Sequence, residues 1–167
     1  MSPRVYPARV LLGWVPKAAY GLIHEATRHL LRRPVVGVAA VARTADGRFL
    51  LIRRGDTGEW GLPGGTLEWG ETLRQALGRE LEEEAGVVDH ELVRVLGAWS
   101  APARDIRFHA VTVGVEVRVP TPTKPPKNAL EIREARLFGE SELPARLAFD
   151  MQDIVAVVRD AGAAVLE

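Results

Sequence analysis

The chain has 167 residues, 47% of them hydrophobic, which is enough for one domain with a full core and too few for two of ordinary size. Its 22 basic and 22 acidic side chains cancel, which excludes the strongly basic footprint of a protein that grips a nucleic acid polymer through its phosphates and points to small substrates. With no cysteine, thiolate metal sites, disulfides and cysteine nucleophiles are excluded too, and the composition suits a reducing, cytoplasmic setting.

The opening stretch MSPRVYPARVLLGWVPKAAYGLI places arginines ahead of apolar residues in the manner of a signal peptide. Pro16 and Lys17 break the run, and no segment approaches the ~18 uninterrupted apolar residues of a membrane span. From Pro16 to Arg32, the residues Ala19, Leu22, Ile23, Ala26 and Leu30 recur at three- and four-residue spacing and predict an amphipathic helix closed by Pro34. Its apolar stripe, with Trp14 and Tyr20 nearby, needs a cover. Either a second copy supplies it, giving a twofold homodimer, or the chain's own sheet does; a helix lying on a membrane surface is a third reading.

PVVGVAAVART and ADGRFLLIRR read as two strands joined at Asp46-Gly47, a dipeptide suited to positive φ. EWGLPGG is a short strand running into a break. From Thr72 to Ala85, Leu73, Ala76, Leu77 and Leu81 mark one helical face, which Thr72 with Gln75 can cap and Gly86 can end. ELVRVLGAW and FHAVTVGVEVRV are further strands separated by SAPARDI. The proline-rich PTPTKPPKN must be a loop, EARLF is a last strand, and Asp150 to Ala161 a terminal helix. Strands flanking a central helix, with another helix at the end, predict an α/β sandwich around a mixed sheet. The strands come in pairs without a helix between each, so the fold is not a doubly wound one.

The chemistry concentrates in RELEEEAGV. Glu80, Glu83 and Glu84 stand at i, i+3 and i+4, so their carboxylates emerge on one helical face, near a C-terminus whose dipole disfavours them. A divalent cation would relieve both repulsions, and an all-oxygen cluster favours hard Mg²⁺ or Mn²⁺ over zinc. Arg79 is placed to hold Glu83, and Glu82 points elsewhere into solvent. An acidic run alone is an ordinary solvated face; the residues before it distinguish this one.

Gly65, Glu71, Arg79, Glu80, Glu83, Glu84 and Gly86, with aliphatic Leu81 and Val87, stand at the spacing of the Nudix box, and the segment resembles the Nudix hydrolases. The VVGVAAV strand and the LP turn at Pro144 extend the similarity over residues 34–160. The chain thus divides into an N-terminal helical extension, residues 1–33, and a Nudix-type α/β/α domain, residues 34–167. The resemblance implies hydrolysis of a nucleoside diphosphate linked to another moiety by a metal-activated water. It also implies metal ligation by Glu80, Glu83, Glu84 and the carbonyl of Gly64, where the Gly64-Gly65 pair lets the main chain approach metal and substrate. Glu83 is the first choice of base, oriented by Arg79. Some members use a later glutamate instead, for which Glu134 and Glu131 are the candidates.

SAPARDIRFHAVTV resembles the corresponding segment of ADP-ribose pyrophosphatases at Ser100, Pro102, Arg104, Asp105, Arg107 and His109, and departs from it at Ile106, Phe108 and Met151. The implied substrate is ADP-ribose or a nucleotide sugar, with Arg104 or Arg107 on the diphosphate. Either Arg53 or Arg54 faces the site from its strand end, and Ser100 and Gly65 complete the binding set. Trp60 and His109 read as packing residues. Two other functions remain open: conversion of nucleoside triphosphates to monophosphate and pyrophosphate, and a non-catalytic domain that binds a nucleotide to regulate a partner.

Overall fold

Strand β1 (Val35–Arg43) is apolar at nearly every position and buried from Gly37 to Ala42, as expected of a strand covered on both faces. The computed structural model describes residues 33–167, of which Pro34–Glu167 form one unit. The expected N-terminal helix, and the dimer interface argued from it, lie outside the described residues.

After the turn at Thr44–Arg48 come β2 (Phe49–Arg54), β3 (Trp60–Gly61) and β4 (Gly64–Thr66). Helix α1 (Leu73–Ala85) is followed by β5 (Glu91–Trp99), β6 (Ala110–Arg118) and β7 (Ile132–Phe138). Helix α2 (Gln152–Arg159) and a short β8 (Val165–Leu166) end the chain. One eight-stranded sheet runs β3-β2-β1-β6-β5-β8, with β4 also on β1 and β7 also on β2. It is mixed: β1 with β6 and β5 with β8 are parallel, the other pairs antiparallel.

Alternation along the central strands sorts their side chains into two cores. Val38, Ala40, Ala42, Leu50 and Ile52 face α1, where Ala76, Leu77, Leu81 and Ala85 meet them. Ala39, Val41, Phe49 and Leu51 face Ile154, Val155, Val157 and Val158 of α2. The predicted α/β/α sandwich is therefore the observed architecture. The terminal helix starts two residues later than expected because a 3₁₀ turn at Ala148–Asp150 occupies its first positions. No described helix is long and apolar enough to cross a membrane.

Helix α1 begins with the expected capping box: Gln75 N–H donates to the Thr72 hydroxyl, and the Gln75 side chain accepts from Thr72 N–H at 2.9 Å. It ends at Gly86, whose φ of 64° is left-handed and whose N–H bonds Glu82 O at 3.1 Å. The proline-rich loop closes over this end, so a Cβ on Gly86 would collide with the carbonyl of Lys124. Gly86→Ala is expected to combine left-handed strain with that collision and cost about 2 kcal/mol or more. A urea midpoint that falls at unchanged m-value would register the loss.

Candidate functional site

The apolar residues of α1 pin it to the sheet, and that fixes where its glutamates go. Glu84 is carried to the edge of the buried face and is 7% exposed, accepting a 2.8 Å hydrogen bond from the Gly64 N–H of β4. Glu80 lies beside Gly65, where any Cβ would strike its carboxylate. Gly64 has φ of 154°, and a Cβ there would enter the backbone of β1 at Val38. The glycine pair therefore lets β4 pass between β1 and the two carboxylates.

Arg79 does more than hold Glu83. Its Nε and Nη2 donate to the two oxygens of Glu71 at 2.9 and 3.0 Å, its Nη1 donates to Glu80 at 2.8 Å, and Nη2 also reaches the carbonyl of Thr66. Glu83 is a looser ion pair at 3.5 Å, its side chain 44% exposed. Arg79 thus orients Glu80 through the fork that holds Glu71, and these hydrogen bonds keep the Glu71 carboxyl below its usual range. Glu82 is not simply solvated: it pairs with Lys127 at 3.0 Å, on the loop whose Lys127 N–H bonds the Glu83 carbonyl at 2.7 Å.

A cavity of about 320 Å³ opens beside these carboxylates, lined by Glu80, Glu84 and Glu131 and by Arg54, Arg104 and Arg107. A second, of about 260 Å³, shares the same three glutamates and adds Glu83. Burial pushes the Glu84 carboxyl up to about 8, against the Gly64 hydrogen bond, and the charges of Glu80 and Glu131 push the same way. Burial also raises Glu80 despite Arg79. Desolvated carboxyl oxygens, of which only those of Glu80 meet a cationic side chain closely, are the donor type a hard divalent ion fits. Among the described residues, however, no group of three or more such side chains is drawn together as a cage. Glu80 is turned to Arg79 and Glu84 to Gly64, so the expected convergence of Glu80, Glu83 and Glu84 on one point is not seen.

Of the two arginines at the β2 end, Arg54 lines the larger cavity and forms a two-point pair with Asp56 at 3.0 and 2.7 Å. Arg53 is on the other face, bonded to Gly58 O and over the Trp60 ring at 6.0 Å. Trp60 packs edge-on against Phe138 at 4.8 Å, as its packing role requires. Arg104 lines the cavity while bonded to Glu167 at 2.7 Å, Asp153 at 2.8 Å and the Asp150 carbonyl at 3.0 Å.

Three expected residues are not brought into either cavity lining: Arg79, which lies behind Glu80, Ser100 and Glu134. Ser100 is engaged by Glu167, its N–H donating to the Glu167 side chain at 2.8 Å and its hydroxyl to the Glu167 main-chain oxygen at 3.1 Å. Glu134 sits on β7 opposite Arg53, whereas Glu131, just before the strand, lines both cavities. The register of β7 on β2, with a shift between Arg53 and Arg54, sets which of the two reaches a cavity. His109 bonds the Ser100 carbonyl at 2.8 Å. At the departing positions, Ile106 is exposed, Phe108 lines the cavity, and the Met151 sulfur accepts from Leu62 N–H at 3.3 Å. Asp56 and Phe149 were not singled out from sequence, which offers no periodicity or motif to find them.

Burial holds the Glu84 carboxyl up at about 8 in the folded state against 4.5 for an ordinary glutamate, so the folded state binds more protons between these limits. The metal-free protein should keep this contribution below about pH 4.5 and lose it as pH rises through 8. In EDTA, thermal melts are expected to fall by several degrees between mildly acidic and alkaline pH, and Glu84→Gln should remove much of that slope.

Comparison with known proteins places this geometry. The family described as NUDIX domain matches residues 32–158. An ADP-ribose pyrophosphatase of Methanocaldococcus jannaschii is 34% identical over 129 residues, 75% of this chain and 73% of that protein. A MutT-like protein of Streptomyces ambofaciens is 52% identical over 52 residues, and there the chain spans about a third, 34%, of its relative. Among solved structures, the NUDIX domain of Shewanella oneidensis NrtR, complexed with ADP ribose, superposes with a TM-score of 0.66 at 25% identity, covering 94% of this chain and 99% of that one.

Proposed function

The chain belongs to the Nudix hydrolase family and is a pyrophosphohydrolase of that type, and from this premise we propose that it cleaves the diphosphate bridge of ADP-ribose or a nucleotide sugar with Mg²⁺ as cofactor. The observation that carries the reading is the meeting of opposite charge in one cavity, which carboxylates Glu80, Glu84 and Glu131 line together with arginines Arg54, Arg104 and Arg107. A diphosphate is a polyanion. It is attracted by the arginines and repelled by the glutamates unless a cation intervenes.

Glu80, Glu83 and Glu84, with the carbonyl of Gly64, would hold that cation. When bound it lowers the pKa of a water and screens the phosphate charge. Glu83 accepts the proton of the attacking water, and its half-exposed side chain, held only loosely by Arg79, is free to do so. Glu131 is the competing base, because it lines the larger cavity where Glu83 does not. Arg79 keeps Glu80 and Glu71 in place. Arg104 pairs with the substrate's diphosphate in both ground and transition states. Gly65 gives the substrate room beside Glu80, and Arg54 meets the same polyanion.

With Mg²⁺ or Mn²⁺, ADP-ribose should yield AMP and ribose 5-phosphate. A preference for nucleoside triphosphates, giving monophosphate and pyrophosphate, would overturn the substrate assignment. Glu83→Gln and Glu84→Gln are each expected to lower kcat about 100-fold, and Arg104→Ala to act mainly by raising KM. Loss of activity in Glu131→Gln with a normal Glu83→Gln would transfer the base to Glu131. The homologue bound to ADP ribose supports a binding role for the same fold; binding without turnover across this panel would leave binding as the function.

A further inference from the structure

The turn that precedes α2 holds two consecutive non-glycine residues in the left-handed region, Phe149 at φ 57° and Asp150 at φ 53°. L-residues adopt that conformation at an energetic cost, and such strain persists only where surrounding contacts over-determine it. Here they do. Arg104 donates to the Asp150 carbonyl at 3.0 Å, Met151 N–H to Ala148 O at 3.2 Å, and Leu147 N–H to the Gln152 side chain at 3.1 Å. The strained turn delivers the Phe149 ring into the cavity wall.

Two guanidinium groups stack on that ring. Arg107 lies 4.7 Å from its centroid and Arg54 4.9 Å, although the two arginines come from different parts of the chain. Each is also gripped in plane by one aspartate: Arg54 by Asp56, and Arg107 by the buried Asp105 at 3.0 and 2.8 Å. Both two-point pairs use Nε and Nη2, which leaves the Nη1 hydrogens out of these hydrogen bonds; Arg107 Nη1 stands 4.0 Å from Asp56, beyond hydrogen-bond distance. A flexible arginine loses side-chain entropy when it grips a ligand, and one already fixed by a ring face and a carboxylate loses less.

We propose that Phe149 is a positioning residue for the diphosphate: its ring fixes Arg54 and Arg107 so that their remaining N–H groups receive oxygens of two linked phosphoryl groups. This rests on the reading of the cavity as a diphosphate hydrolase site. The substrate class it selects is a compound with at least two phosphoryl groups in succession, in which both arginines find a partner. The ring touches the arginines, and its effect on substrate passes through them.

The test replaces the ring while keeping an apolar side chain, in the Mg²⁺-loaded full-length enzyme. Phe149→Leu is expected to raise KM for ADP-ribose about tenfold with kcat changed less than about twofold, and Phe149→Tyr, which keeps the ring, to stay within about twofold of wild type in both. Calorimetric titration with inorganic pyrophosphate and Mg²⁺ reads the arginine pair without any nucleoside, and Phe149→Leu should weaken that affinity by a similar factor. Should Phe149→Leu not fold, Phe149→Met makes the same comparison. Unchanged KM and pyrophosphate affinity in the ring-less variant, equal impairment of Phe149→Tyr, or no pyrophosphate binding by wild type each overturns the proposal. Wild type that binds pyrophosphate with the expected variant pattern but leaves ADP-ribose intact overturns the substrate reading and keeps the positioning role.

Discussion

The guanidinium of Arg79 is the tie on which the site depends. It joins three separate pieces of chain: Glu71 ahead of helix α1, Glu80 within it, and the carbonyl of Thr66 at the end of β4. A planar fork with five donors can satisfy these acceptors at once, which a lysine could not. Without it, Glu80 would lose its hydrogen-bonded cation while keeping its charge in a desolvated wall, and the loop between β4 and α1 would lose the residue that closes it. The helix dipole adds to the problem, since these carboxylates sit toward the C-terminal half of α1. Arg79 answers part of that charge, Lys127 answers Glu82, and the balance is left on Glu80, Glu83 and Glu84.

The sheet supplies the rigidity that makes such a charged wall tolerable. Its central strands are apolar on both faces and are covered by α1 on one side and α2 on the other, so β1, on which β4 pairs, is fixed by packing and offers β4 a rigid edge of main-chain hydrogen bonds. Glu80 and Glu84 descend from the α1 layer, and Glu131 joins them from the segment just before β7. The arginines come from the strand end of β2 and from the loop between β5 and β6, and the turn before α2 supplies their aromatic support. Carboxylates and arginines therefore reach the cavity from different segments, and each arginine is already paired with an aspartate or glutamate outside the Glu80, Glu84 and Glu131 set. That separation keeps a cation and a polyanion both bindable in one volume of about 320 Å³.

Much of the fold was legible in sequence because its signals are local. The capping box at Thr72 and Gln75, the glycine that ends α1, the Asp46-Gly47 turn and the continuous apolar run of β1 each follow from side chains a few positions apart. The acidic cluster was legible for the same reason, since helical spacing alone places Glu80, Glu83 and Glu84 together. Spacing could not say that Arg79 would bond Glu71 and Glu80 more closely than Glu83, because that depends on how the preceding loop folds back.

Thus the order of charges and caps along residues 64–87 determined by itself the helix, its acidic face and the family to which the chain belongs. Tertiary structure alone decided which residues outside that stretch reach the cavity beside it. Arg54 rather than Arg53, and Glu131 rather than Glu134, reach the cavity because a strand register and its irregularity select them. Ser100 lines neither cavity and is engaged by Glu167, distant in sequence. Phe149 enters because a turn held from several sides sustains an unfavourable backbone conformation. Each of these rests on contacts between segments far apart in the chain, and a pairing between distant segments leaves no periodic mark in either of them.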